Sequence, residues 1–177
     1  MILLGSIFKH TEKTFMSYEL YFGGYEMKLR NQMPDLNGAT EWLNGELTKA
    51  DLVGKKPTLI HFWSVSCYLC KEAMPQVNQF RDNYSDKLNV VAVHMPRSEA
   101  DLNIEAIKKT AEEHEITQPI FVDSEHKLTE AFENQYVPAY YVFDKEGKLR
   151  HFQAGGSGMK MLEKRVNRVL DETAKAE

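Results

Sequence analysis

The chain is poor in cysteine: its 177 residues contain only two, Cys67 and Cys70. That count excludes the disulfide framework of a small secreted scaffold and leaves catalysis or metal binding as uses for the pair. There is no basic run either. Lys and Arg, 22 in all, are interspersed with 26 acids for a formal net charge of -4, so no stripe of cations is present to neutralise phosphates and nucleic acid is not an expected partner. No apolar stretch approaches the ~20 residues of a membrane span. The opening Met1-Ile2-Leu3-Leu4-Gly5-Ser6-Ile7-Phe8 lacks the basic start and small-residue cleavage site of a signal peptide. These absences point to a cytoplasmic, non-membrane protein. With 42% hydrophobic and 27% charged residues, the composition suits one ordinary globular domain, expected to act as a monomer.

Residues 1–26 show no clean period and are expected to be a poorly ordered appendage, with Met27 a candidate natural start and 27–177 the domain. Glu41-Trp42-Leu43 and Glu46-Leu47 flank Asn44-Gly45, a hairpin signal. Thr48 followed by Asp51 forms a capping box for a brief helical turn ended by Gly54. Pro57 to Trp63 reads as a strand that is apolar on both faces apart from His61, hence central in a sheet. Ser66 is the expected cap of a helix running to about Tyr84, with Cys70, Met74, Val77 and Phe80 inward and Pro75 bending it. A second buried strand spans 88–94. A helix from Ser98 to about Glu115 carries Leu102, Ala106, Ile107 and Ala111. Residues 119–122 form a short strand, and Lys127 to Asn134 a short helix with Leu128, Ala131 and Phe132 inward. Strands 139–143 and 149–153 flank the turn Lys145-Glu146-Gly147-Lys148, and a last helix from Met159 presents Leu162, Val166, Val169 and Leu170 on one face. This order predicts an α/β protein, a three-layer α/β/α sandwich on a central mixed sheet.

Residues three apart share a helix face, so Cys67 and Cys70 can bond with modest adjustment of the first turn. At a helix N-terminus, unpaired N–H groups and the dipole favour a thiolate, which makes Cys67 the expected nucleophile. Cys70, one turn deeper, is placed to resolve a mixed disulfide. Two other readings stand beside this one. A zinc site needs two further ligands, and the six histidines offer no pair at finger spacing; two inert core thiols are the third reading, although a helix start after a central strand is where open α/β sheets place their sites.

The segments Pro57-Thr58-Leu59-Ile60-His61-Phe62-Trp63, Tyr136-Val137-Pro138-Ala139-Tyr140-Tyr141-Val142-Phe143-Asp144 and Gly155-Gly156-Ser157-Gly158-Met159, taken with the CxxC pair, resemble the thioredoxin superfamily. The similarity is to its branch with an N-terminal β-hairpin and an inserted βα unit, and it runs from about Met27 to the last helix. It implies a thioredoxin-like thiol-disulfide oxidoreductase that reduces protein disulfides without a dissolved cofactor or metal. Disulfide-containing proteins would be its substrates, and thioredoxin reductase or a similar reductant would reopen its bond. In this family Trp63 matches the active-site tryptophan, Cys67 and Cys70 the redox pair, and Pro75 the helix-bending proline. Pro138 matches the proline after a cis bond, where the Val137 backbone would pair with an extended substrate segment, and Gly155 a glycine bordering that groove. Gly155-Gly156-Ser157-Gly158 also reads as a plain strand-to-helix turn capped by Ser157.

The chain departs from the family pattern beside the sulfurs. His61 stands where thioredoxins carry a buried acid; it is either a neutral acceptor for the Cys70 proton or a core histidine satisfied by one hydrogen bond. Ser66 replaces an aromatic, giving a more open, polar rim, and Tyr68-Leu69 replaces Gly-Pro. Relatives that reduce apocytochrome c outside the cytoplasm carry a glutamate in the register of Ala73, whereas Glu72 is one residue early. Two rival functions follow: an extracytoplasmic reductase in cytochrome c maturation or spore assembly, and a binding module switched by the Cys67–Cys70 bond without turnover.

Overall fold

The computed structural model describes residues 27–176; the expected appendage, residues 1–26, lies outside them. The strands are β1 (Glu41–Leu43), β2 (Thr58–Trp63), β3 (Asn89–His94), β4 (Ile120–Val122), β5 (Ala139–Phe143) and β6 (Leu149–Ala154). The helices are α1 (Lys49–Leu52), α2 (Tyr68–Asn83), α3 (Ile104–Glu113), α4 (Lys127–Ala131) and α5 (Met159–Lys175), with a 3-10 turn at Glu99–Leu102. The strands form one sheet in the order β1-β4-β3-β2-β5-β6. β2, β3 and β4 run parallel, and β1, β5 and β6 pair antiparallel to their neighbours, which gives the expected mixed sheet.

Two apolar layers follow from the two-residue period of the strands. Leu59 and Trp63 of β2, Ala92 of β3 and Tyr140 of β5 face α2, α3 and α5, meeting Met74, Val77, Ile107, Leu162 and Val166. Ile60, Phe62, Val91 and Tyr141 face the other way, against Met33, Leu52, Leu128 and Phe132. Covered on both faces, β2 has no exposed residue. Each fully buried large apolar side chain in these layers contributes about 1.5–3 kcal/mol before the entropy of ordering is deducted.

Local chemistry sets the element ends, and several depart from the sequence reading. Asn44 and Gly45 do turn the chain, with φ of 61° and 119°, but residues 46–47 form no returning strand. β1 pairs instead with β4, because the Asn44 amide is tied to the carbonyls of Ile116 and Gln118 at 2.8 and 3.1 Å. The N-terminal hairpin is thereby corrected to a single edge strand. The helix expected from Ser98 is broken at Asn103, whose side chain accepts the Ala106 N–H and starts α3 afresh; Leu102, expected inward, is exposed. α4 stops at Ala131, which faces solvent while Thr129 is buried, because Asp123 binds the Thr129 hydroxyl and the N–H groups of Leu128 and Thr129. Gly158, at φ 90°, rather than Ser157, caps α5. The Thr48 box is present, its N–H and hydroxyl both donating to Asp51.

Candidate active site

β2 and β3 end side by side, with Trp63 opposite His94 in the register. β5 begins at the same end of the sheet because it runs antiparallel to β2, with Ala139 opposite Phe62. Three chain segments therefore converge there: Ser64–Cys67 after β2, Met95–Leu102 after β3, and Tyr136–Pro138 before β5.

Cys67 and Cys70 are joined in a disulfide with a Cα–Cα separation of 5.3 Å. Cys67, not Ser66, is the cap of α2: its Sγ accepts the Cys70 N–H at 3.2 Å. The Ser66 side chain is turned instead toward Asp101, donating its hydroxyl to Oδ2 at 2.8 Å in a charge-assisted bond. Both cysteines are covered, at 3% and 1% exposure, so the shielding difference expected between them is slight in the bonded state. Tyr68 and Leu69, between the sulfurs in sequence, are exposed, as is Tyr136. Tyr68 donates its hydroxyl to Glu72 at 2.7 Å. α2 is continuous through Pro75.

The Val137–Pro138 bond is cis. Gly155, at φ 94°, donates its N–H to the Pro138 carbonyl at 2.8 Å, which ties the glycine loop to the proline. Gly156 lies against Leu69; a Cβ there would come within 3.1 Å of the Leu69 Cβ. Trp63 is buried in the same apolar cluster as both cysteines and Val137 packs against it.

His61 points from β2 toward the α2 side, the side of Leu59 and Trp63, and is 1% exposed. Arg81 donates to Gln118 Oε1 at 2.9 Å, which turns the Gln118 amide nitrogen to His61 Nε2 at 2.8 Å. His61 Nε2 is therefore an acceptor and the ring is neutral. Burial, helped by the Arg81 charge, lowers its pKa to about 3.

Sequence reading missed a second polar group. Asp101, 2% exposed, accepts from Ser64 Oγ at 2.9 Å, Ser66 Oγ at 2.8 Å and Arg97 N–H at 2.8 Å. Burial works to raise its pKa, but the bonds from Arg97, Ser66 and Ser64 and the nearby His94 hold it below the ordinary carboxylate value. His94, fully buried, accepts the Val65 N–H on Nε2 at 3.4 Å and lies edge-on to Trp63. Burial lowers its pKa to about 4 against the opposing pull of Asp101 and Asp123. The one sequence signal was Ser98 followed three residues on by Asp101, which suggests a local capping role and hides this longer-range one.

A disulfide at a helix start, beside a cis-proline on a three-layer mixed sheet, defines a thioredoxin-like thiol-disulfide oxidoreductase. The chain belongs to the AhpC/TSA family, whose model matches residues 29–152. It is 77% identical over 147 residues to the thiol-disulfide oxidoreductase YkuV of Bacillus subtilis, covering 83% of this chain and 99% of that protein. A solution structure of a thioredoxin-like protein in the oxidised form, also 77% identical, superposes with a TM-score of 0.78 over 82% of this chain and 99% of that one. Protein DipZ of Mycobacterium bovis is 32% identical over 154 residues, which cover 85% of this chain but 22% of the larger protein.

Proposed function

We propose that the chain reduces disulfides of protein substrates in the cytoplasm, with Cys67 as nucleophile and Cys70 as resolving thiol. The observation that carries the reading is the position of Cys67 Sγ as the cap of α2, accepting the Cys70 N–H. The reduced Cys67 thiolate keeps that helix N–H and the helix dipole as its stabilisers. It attacks one sulfur of the substrate disulfide, expelling the other as a thiolate that takes up a proton. Cys70 then gives up its proton and attacks Cys67 Sγ, releasing the second substrate sulfur and leaving the Cys67–Cys70 bond. Two electrons pass from the pair to the substrate. A reductant of the thioredoxin reductase kind returns them.

Val137, Pro138 and Gly155 form the floor on which an extended substrate segment pairs, with Tyr68 and Ser66 at its rim and the buried Trp63 supporting it from within the cluster that holds both cysteines. His61 is left out of the proton path, because Gln118 already engages its Nε2 and a ring with a pKa of about 3 is a weak base. Residues 27–177 are the catalytic unit, active as a monomer, since both apolar layers and the whole site lie within the described residues. Among those residues no helix is long and apolar enough to cross a membrane.

The test compares C67S with C70S. C70S is expected to trap mixed disulfides with substrate while C67S does not; equal trapping by both overturns the roles. Turnover of insulin with a reductase separates this reading from a redox-switched binding module, which predicts none.

A further inference from the structure

The segment leading into Cys67 is held by groups from β3 and from the connection that follows it. Asp101 takes the hydroxyls of Ser64 and Ser66, and His94 takes the Val65 N–H between them. A serine hydroxyl has one proton. Given to Asp101, it is not available to a thiolate at Cys67. The carboxylate is itself buried one residue from the nucleophile through Ser66, where an anion opposes the formation of a second one.

We infer that Asp101 is a positioning residue that destabilises the Cys67 thiolate, countering the α2 N-terminus and keeping the pair reducing. The inference deepens the reductase reading and rests on it. The groups facing Asp101 are consistent with a charged carboxylate. Arg97 supplies its N–H from the same connection, and its side chain bonds the Ser66 carbonyl at 3.4 Å. His94 of β3 feels the charges of both Asp101 and Asp123, and its low pKa keeps it from cancelling either at neutral pH. On α2 the nearest acid, Glu72, is held by the Tyr68 hydroxyl. Because the mobile quantity is the stability of the reduced form, the effect belongs to the potential and not to the fold.

The test measures, in the full chain, the Cys67 thiolate titration by ultraviolet absorbance and the thiol–disulfide equilibrium with glutathione, in D101N and S66A. D101N removes the charge and leaves the serine hydroxyls only a neutral amide oxygen as acceptor. It is expected to lower the Cys67 pKa and shift the equilibrium toward the dithiol by up to about tenfold, or about 30 mV. S66A leaves the charge with one donor fewer and is expected to shift both in the opposite direction. Shifts of the same sign in the two variants, or no shift in either, overturn the proposal; should D101N not fold, a lowered or unchanged Cys67 pKa in S66A overturns it. The wild-type equilibrium alone decides whether the pair is a reductant, so failure of that reading is read separately from failure of this one.

Discussion

His61 and His94 are buried neutral imidazoles, with pKa values lowered from 6.5 to about 3 and about 4. An unfolded chain would bind protons at both below pH 6.5 while the folded one resists, so stability is full above that pH and declines as pH falls toward 4. Each ring contributes a loss of up to about 3 kcal/mol at pH 4. Urea unfolding between pH 4 and 7 should show the decline, and H61Q should have a shallower one; an unchanged slope would tell against His61 as a source. The chemistry of the cysteines was legible because it depends on their spacing and on the strand and helix flanking them. The partners of His61 were not. Gln118 and Arg81 come from chain segments 57 and 20 residues away, and nothing local in the sequence pairs them. Asp101 was hidden for the same reason: its hydroxyl partners lie 35 and 37 residues upstream.

Strands and helices with a full apolar face were readable in order and type, whereas short connections decided by one polar side chain were not. Asn103 is such a case, dividing a continuous apolar period into a 3-10 turn and α3 by accepting the Ala106 N–H. N103A should therefore cost about 1 kcal/mol of stability, the usual loss for a cap, measured by chemical denaturation. Asn44 is another: its amide holds β1 to the loop before β4, a contact that outweighed the local preference of Asn-Gly for a hairpin. Gly155 adopts a φ of 94°, where a Cβ is disfavoured. G155A should lose roughly 1 kcal/mol and, on the proposed substrate path, raise the KM for protein substrates, since the glycine N–H bonds the Pro138 carbonyl beside the cis bond. An unchanged KM in that variant would separate the loop from the substrate path.

At the scale of the molecule, the sheet brings three distant loops to one end, and its two faces bury separate layers within residues 27–176. A chain beginning at Met27 is expected to reduce insulin at the rate of the full chain, checked by turnover with the same reductase. A large loss would assign residues 1–26 to the catalytic unit. The placement of the two tryptophans has an optical consequence. Trp63 is buried in the cluster that contains both sulfurs and lies edge-on to His94, whereas Trp42 packs edge-on against Phe121 on the edge strand β1. Opening and closing the disulfide should change the emission of Trp63 and leave that of Trp42 constant, so the protein carries both a redox-sensitive fluorophore and its internal reference.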